Sequence, residues 1–221
     1  MIESLLKYAF PVEYGLPSGS VNVPICRHNT SFAESDEMAC NQCHANRSSR
    51  SDCNVEILKV DTNGVEVAVV RFEKYIEQFI GTNANIADRC DLILTESGMA
   101  HNKIVFCDLC CYEEKYVEPN KGKYPMGKRA KARQQMERSI DVLLKESTTA
   151  VNLLTYPEKV CLFAWRDYDV PDTPVVGVHG NARSNVQVFS SVRSNMASQT
   201  TQRMEHGFTF VQVKYPSPYN W

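Results

Sequence analysis

Apolar and polar positions alternate with a period of two in several short stretches of this chain, and with a period near 3.6 in one long stretch. Strand side chains point to opposite faces in turn, whereas helix side chains share a face every three or four residues. Val55–Val60 and Val65–Val70 flank Asp61-Thr-Asn-Gly64, and an Asn-Gly turn between two such runs predicts a hairpin. Cys90–Thr95 and Lys103–Tyr112 predict a second hairpin around Glu96–Asn102. In Gly127–Ser147, Ala132, Met136, Ile140, Leu143 and Leu144 recur at helical spacing with charged residues between them, which predicts an amphipathic helix. Lys159–Trp165 is a continuous apolar run of buried-strand length. A polar helix is expected over 187–205 and a last strand over Gly207–Val213, whereas Arg71–Ile80 is compatible with either a strand or a short helix. Pro171–Asn185 reads as loop. Strands, helix, strand, helix and strand in that order predict an α/β fold, a mixed central sheet flanked by helices.

Residues 16 to 54 break this pattern, being polar and rich in Ser, Asn and Cys. The chain therefore divides into an irregular, cysteine-containing N-terminal region, 1–54, packed on a core domain, 55–221. Hydrophobic residues at 43% and charged residues at 23% are ordinary for a globular protein, which excludes a disordered or fibrous chain. Neither a secretory leader nor an apolar run of membrane-spanning length is visible, so a cytoplasmic setting without membrane partners is expected. Nine cysteines at irregular spacing argue against a secreted disulfide framework.

Charge is more informative locally than in total. The formal net charge is −2, yet between Glu118 and Glu137 there is no acid, while Lys121, Lys123, Lys128, Arg129, Lys131 and Arg133 all fall there. Lys128, Arg129, Lys131 and Arg133 are candidate phosphate contacts, which give salt-dependent affinity without reading sequence. Tyr112, Tyr116 and Tyr124 surround this stretch and are candidates for stacking on a base. The plainer reading is a solvated helix face whose cations pair with Glu137, Asp141 and Glu146.

The chemistry centres on Asp91-Leu-Ile-Leu and Ile104-Val-Phe-Cys-Asp108-Leu-Cys110, two predicted strands that each set a carboxylate among apolar neighbours. Acids at strand ends are commonly solvated and then mean little; acids inside a sheet need a cation or a polar network. If the strands pair, Asp91 approaches Asp108, and two close carboxylates are ligands for Mg²⁺ or Mn²⁺. This layout, followed by Ala132-Arg-Gln134-Gln135-Met136 in a helix, resembles the PD-(D/E)xK nuclease superfamily, particularly its small bacterial members. The resemblance implies a restriction-endonuclease-like core and metal-dependent phosphodiester hydrolysis on DNA or another nucleic acid. It further implies that Asp91 and Asp108 hold the metal, that a lysine orients the attacking water, and that Gln134 or Gln135 supports the site. Cys110 stands where the family's lysine belongs, and a neutral thiol is no cationic donor. Two replacements are open: Lys115, within Glu113-Glu114-Lys115, or a helix lysine, Lys128 or Lys131. The alternative is a catalytically degenerate, non-enzymatic interaction module.

A structural Zn²⁺ is a separate candidate, the alternative being unliganded thiols. Cys26, Cys40, Cys43 and Cys53 cluster in the irregular region with His28 and His44 nearby, and a Cys-x-x-Cys pair plus two further Cys or His ligands makes a tetrahedral site. Cys90, Cys107, Cys111 and Cys161 fall in predicted strands as small buried hydrophobes. Gly177-Val-His-Gly180 has neither the spacing nor the lysine of a phosphate-cradling loop.

Overall fold

The computed structural model describes residues 2–35, 56–97, 102–112, 114–120, 122, 125–145, 147–167 and 202–221. Ten strands are described: β1 (Ile25–His28), β2 (Phe32–Ser35), β3 (Glu56–Asp61), β4 (Val67–Arg71), β5 (Leu92–Glu96), β6 (Lys103–Cys111), β7 (Glu158–Arg166), β8 (Gln202–Arg203), β9 (Thr209–Lys214) and β10 (Pro218–Asn220). They form a seven-stranded sheet, β1-β4-β5-β6-β7-β9-β8, and a three-stranded sheet, β10-β3-β2. β1, β4, β5 and β6 run antiparallel in turn, whereas β6, β7 and β9 are parallel. The sheet is therefore mixed, and the α/β class expected from the sequence is observed.

The parallel step from β6 to β7 needs a crossover, supplied by α4 (Lys128–Leu144) and α5 (Ser147–Leu154). α4 buries Ala132, Met136, Ser139, Ile140 and Leu143. Helical turns at the start of the chain, α1 (Ile2–Ser4), a π turn (Leu5–Ala9) and α2 (Phe10–Glu13), join the same layer, as does α3 (Phe72–Ile76). Within 71–80, Phe72–Ile76 is thus a short helix, because Phe72, Tyr75 and Ile76 recur at helical spacing into the core. Strand periodicity splits the interior into two cores. Ile104, Phe106 and Cys110 face the helices, whereas Val105, Cys107, Leu109 and Cys111 face the three-stranded sheet. β6 is buried along its whole length, which is why its sequence is nearly continuously apolar.

Two expectations are corrected. Asn63 and Gly64 do make a tight turn, with φ of 50° and 80° and Val65 N–H donating to Thr62 O at 2.9 Å. The strands it joins do not form a hairpin, because β4 pairs with β1 and β5 on its two edges while β3 pairs with β2 and β10. Val67, Ala68, Val69 and Val70 are all buried, so β4 belongs inside the larger sheet and β3 crosses to the layer above it. Within 16–54, expected to be irregular, lie β1 and β2; they are short edge strands of mixed burial whose polar side chains mask the pattern. The 187–205 helix lies outside the described residues up to 201, and beyond it Gln202–Arg203 is strand and Glu205–Gly207 a 3₁₀ turn. The 171–185 loop also lies outside the described residues. No helix among the described residues is long and apolar enough to cross a membrane.

Candidate functional site

Asp91 immediately precedes β5, and α4 fixes the segment that delivers it. Gln135 Nε2 donates to Arg89 O at 3.0 Å. Cys90 N–H donates to Ser139 Oγ at 2.8 Å, and that hydroxyl donates to Gln135 O at 2.8 Å. Arg138 pairs with Asp88 one step earlier. The backbone of Asp91 is held as well: its N–H donates to Cys107 O at 3.1 Å and its carbonyl accepts from Phe72 N–H at 2.8 Å.

The β5–β6 register ends with Leu92 opposite Cys107, and Asp91, one residue before β5, also sends its N–H to Cys107 O, so the regular pairing does not extend to Asp91 and Asp108. On β6, Asp108 alternates with Phe106 and Cys110 toward the helix-covered face, whereas alternation is broken just before β5, where Cys90 and Ile93 both join the helix-side core. Asp91 Oδ2 accepts the Leu109 N–H at 2.6 Å, taking over where β5 runs out of backbone acceptors. Asp108 is 7% exposed, between Phe106 and Cys110. The Cys90 and Cys107 thiols are pushed well up, first by burial and then by the nearby charges of Asp91 and Asp108. Carboxylate oxygens are hard donors and suit Mg²⁺ or Mn²⁺ better than a soft metal.

The remaining candidates fall in different places. Cys110 is buried, 6% exposed, on the face of Asp108. Lys115 sits exposed in the 3₁₀ turn after β6, with Nζ 4.9 Å from the Tyr116 ring centroid. Gln135 is committed to the Arg89 carbonyl, and Gln134 is half-buried beside it. Lys128, in the first turn of α4, holds Nζ 3.6 Å from the Tyr112 ring centroid. Tyr112 follows Cys110 by two positions, which brings Lys128 toward the end of the strand that carries Asp108. Arg133 pairs with Glu137 at 2.9 Å, as the helix-surface reading expects, whereas Arg129 pairs with Glu118 outside the helix at 2.7 Å and Lys131 is exposed. A groove lined by Lys103, Glu158, Lys159, Thr209 and Tyr219 lies at the other end of the parallel strands and touches neither acid.

A second cluster joins the two sheets. Cys26, His28 and Glu34 place one donor atom each within 4.8 Å of one another, a group able to coordinate a metal ion. The partners that the sequence suggests for Cys26, namely Cys40, Cys43 and Cys53, lie outside the described residues. Glu34 is a potential donor that sequence reasoning misses; the available signal is Cys-x-His at one-face spacing followed, one tight connection later, by an acid between Ala33 and Ser35. Burial, then Glu34, raises the Cys26 thiol pKa, and burial raises the Glu34 carboxyl pKa against Arg71 and His28.

No family model, curated protein or solved structure matches the chain.

Proposed function

We propose that the chain acts on nucleic acid through a divalent-cation site of the PD-(D/E)xK kind, with Asp91 and Asp108 as protein ligands. One observation supports the reading: the Asp91 carboxylate, just before β5, takes the N–H of Leu109, the residue that follows Asp108 on β6. A bound Mg²⁺ or Mn²⁺ supplies an activated water and offsets charge at the scissile phosphate. The chain's own contributions are separable. Leu109 N–H holds the Asp91 carboxylate in one orientation, while Gln135 and Ser139 fix the backbone behind it. Lys128 takes the part of the strand lysine absent at 110, its ammonium held against Tyr112. The first turn of α4 adds positive potential, because its basic side chains coincide with the positive end of the helix dipole.

The test is nicking of supercoiled plasmid with Mg²⁺ or Mn²⁺ by the wild type, Asp91→Asn, Asp108→Asn and Lys128→Ala. Cleavage is expected in the wild type and lost in both acid variants, with Lys128→Ala slower by on the order of 10²-fold. Cleavage that survives both acid substitutions rejects the assignment. A second reading, a degenerate nucleic-acid-binding module, is favoured by the buried neutral thiol of Cys110. It predicts salt-sensitive DNA binding without cleavage, and cleavage gained in Cys110→Lys.

A further inference from the structure

We infer that Cys26, His28 and Glu34 bind a zinc ion that fastens the edge of the seven-stranded sheet to the edge of the three-stranded sheet. The inference is independent of any nuclease activity. β1 is the terminal strand of one sheet and β2 of the other, and only residues 29–31 connect them. Cys26 and His28 are two apart on β1 and share a face. Cys26 Sγ and His28 Nε2 are 3.4 Å apart. Two ligands on a tetrahedral zinc, at about 2.3 Å for sulfur and 2.0–2.1 Å for nitrogen, are about 3.6 Å apart. A thiol–imidazole hydrogen bond has a similar length, so this pair alone decides nothing.

The third donor makes the pair a metal-binding group. Glu34 is 4% exposed, its burial supported by the Arg71 ion pair, and it places a carboxylate oxygen within 4.8 Å of both other donors. Since all three donors lie within 4.8 Å, the widest separation has to close by about 1 Å at most to match a zinc shell. The surroundings hold two of the ligands as outer partners hold metal ligands. The His28 ring stacks on Phe32 with centroids 4.1 Å apart, which fixes its plane. Arg71 Nη2 holds a Glu34 oxygen at 2.5 Å while its Nη1 donates to Ser35 O at 3.2 Å. Thiolate, imidazole and carboxylate together suit zinc, and are too soft a set for Mg²⁺. With the thiolate and the carboxylate charged, the two anions match a dication and Arg71 leaves the site with one net positive charge; a solvent molecule completes the tetrahedron.

The test uses the full chain, stripped with a chelator and titrated with Zn²⁺ and then with Co²⁺ as a spectroscopic probe. About one equivalent is expected, with tetrahedral cobalt d–d bands and a thiolate-to-cobalt charge-transfer band. A Cys40→Ser/Cys43→Ser/Cys53→Ser variant should keep the equivalent and the band. Cys26→Ser should lose the band, and Glu34→Gln, which preserves shape, should weaken binding by about tenfold or more. Absence of binding by the wild type overturns the inference, as does loss of the band in the triple variant or its persistence in Cys26→Ser. The triple variant leaves the proposed ligands intact, so the result stands whether or not Cys26→Ser folds.

Discussion

Asp91 has a structural duty distinct from any catalytic one. Its Oδ2 takes the Leu109 N–H at 2.6 Å, a charge-assisted bond at the point where β5 ends. Such bonds contribute about 1.5–3 kcal/mol, so Asp91→Ala should lower stability by that order. Asp91→Asn keeps an acceptor oxygen in place and should cost about half as much or less. Urea unfolding of the two variants measures this directly; equal destabilisation would assign the effect to charge and not to the hydrogen bond. The pair separates fold from chemistry, because a metal ligand is impaired in both. Ser139 is a second such residue: fully buried, it accepts from Cys90 N–H and donates to Gln135 O. Ser139→Ala should cost about 1–3 kcal/mol through the orphaned Cys90 N–H. It should also weaken Mn²⁺ binding at Asp91, read by titration, whereas a purely structural serine would leave metal affinity unchanged. At this scale the burial of Asp108 was legible, because it interrupts an apolar run, whereas Asp91 stands just before one and is only partly buried. The burial of Glu34 was not legible, since it comes from the packing of two edge strands around it and not from its own sequence neighbourhood.

Elements were legible where one periodicity acts alone. α4 and β6 follow directly from their apolar spacing. The Asn63-Gly64 turn was legible too, but its meaning was not. A tight turn fixes a change of direction, and the competition among β1, β5 and β3 for the edges of β4 decides which strands pair. That competition is a tertiary property that strand propensity does not contain. The start of α4 shows how much one position can matter to an element. Gly127 has φ of +75°, and a Cβ there would meet Glu118 C at 2.5 Å and Pro119 N and Val117 O at 2.7 Å, all backbone. Gly15 has a similar φ of +76°, but a Cβ there would meet nothing within 4 Å. Gly15→Ala should therefore cost about 1–2 kcal/mol for the left-handed backbone alone. Gly127→Ala should exceed it by about 1–3 kcal/mol, because rigid backbone has to move. Equal losses on thermal unfolding would mean that the 117–119 segment yields freely, and that Lys128 is not firmly positioned.

The whole molecule stacks a helical layer, a seven-stranded sheet and a three-stranded sheet, with an apolar core on each side of the middle layer. The second core is closed by β10, laid parallel to β3, and by a clamp around Lys103. The Lys103 ammonium pairs with Glu158 at 3.0 Å and lies 4.9 and 5.3 Å from the Tyr219 and Trp221 rings. The first core contains groups whose ionisation the fold opposes. Tyr75 OH donates to Leu6 O at 2.7 Å in the helical layer, and burial pushes its pKa far up. Cys161, wholly buried on β7, is likewise raised by burial. Both groups keep their protons in the native state at pH values where the unfolded chain has released them. Over that range the unfolded state binds fewer protons, so stability falls as pH rises. The loss begins near the ordinary thiol value of about 8.5, deepens past about 10 for tyrosine, and reaches about 1.4 kcal/mol per pH unit for each fully mismatched group. Cys161→Ala should flatten the first part of that decline and Tyr75→Phe the second, each after subtraction of its loss at neutral pH. Urea midpoints across the alkaline range supply the measurement. A slope that neither substitution changes would place the titrating groups elsewhere and show that water reaches this core before the protein unfolds.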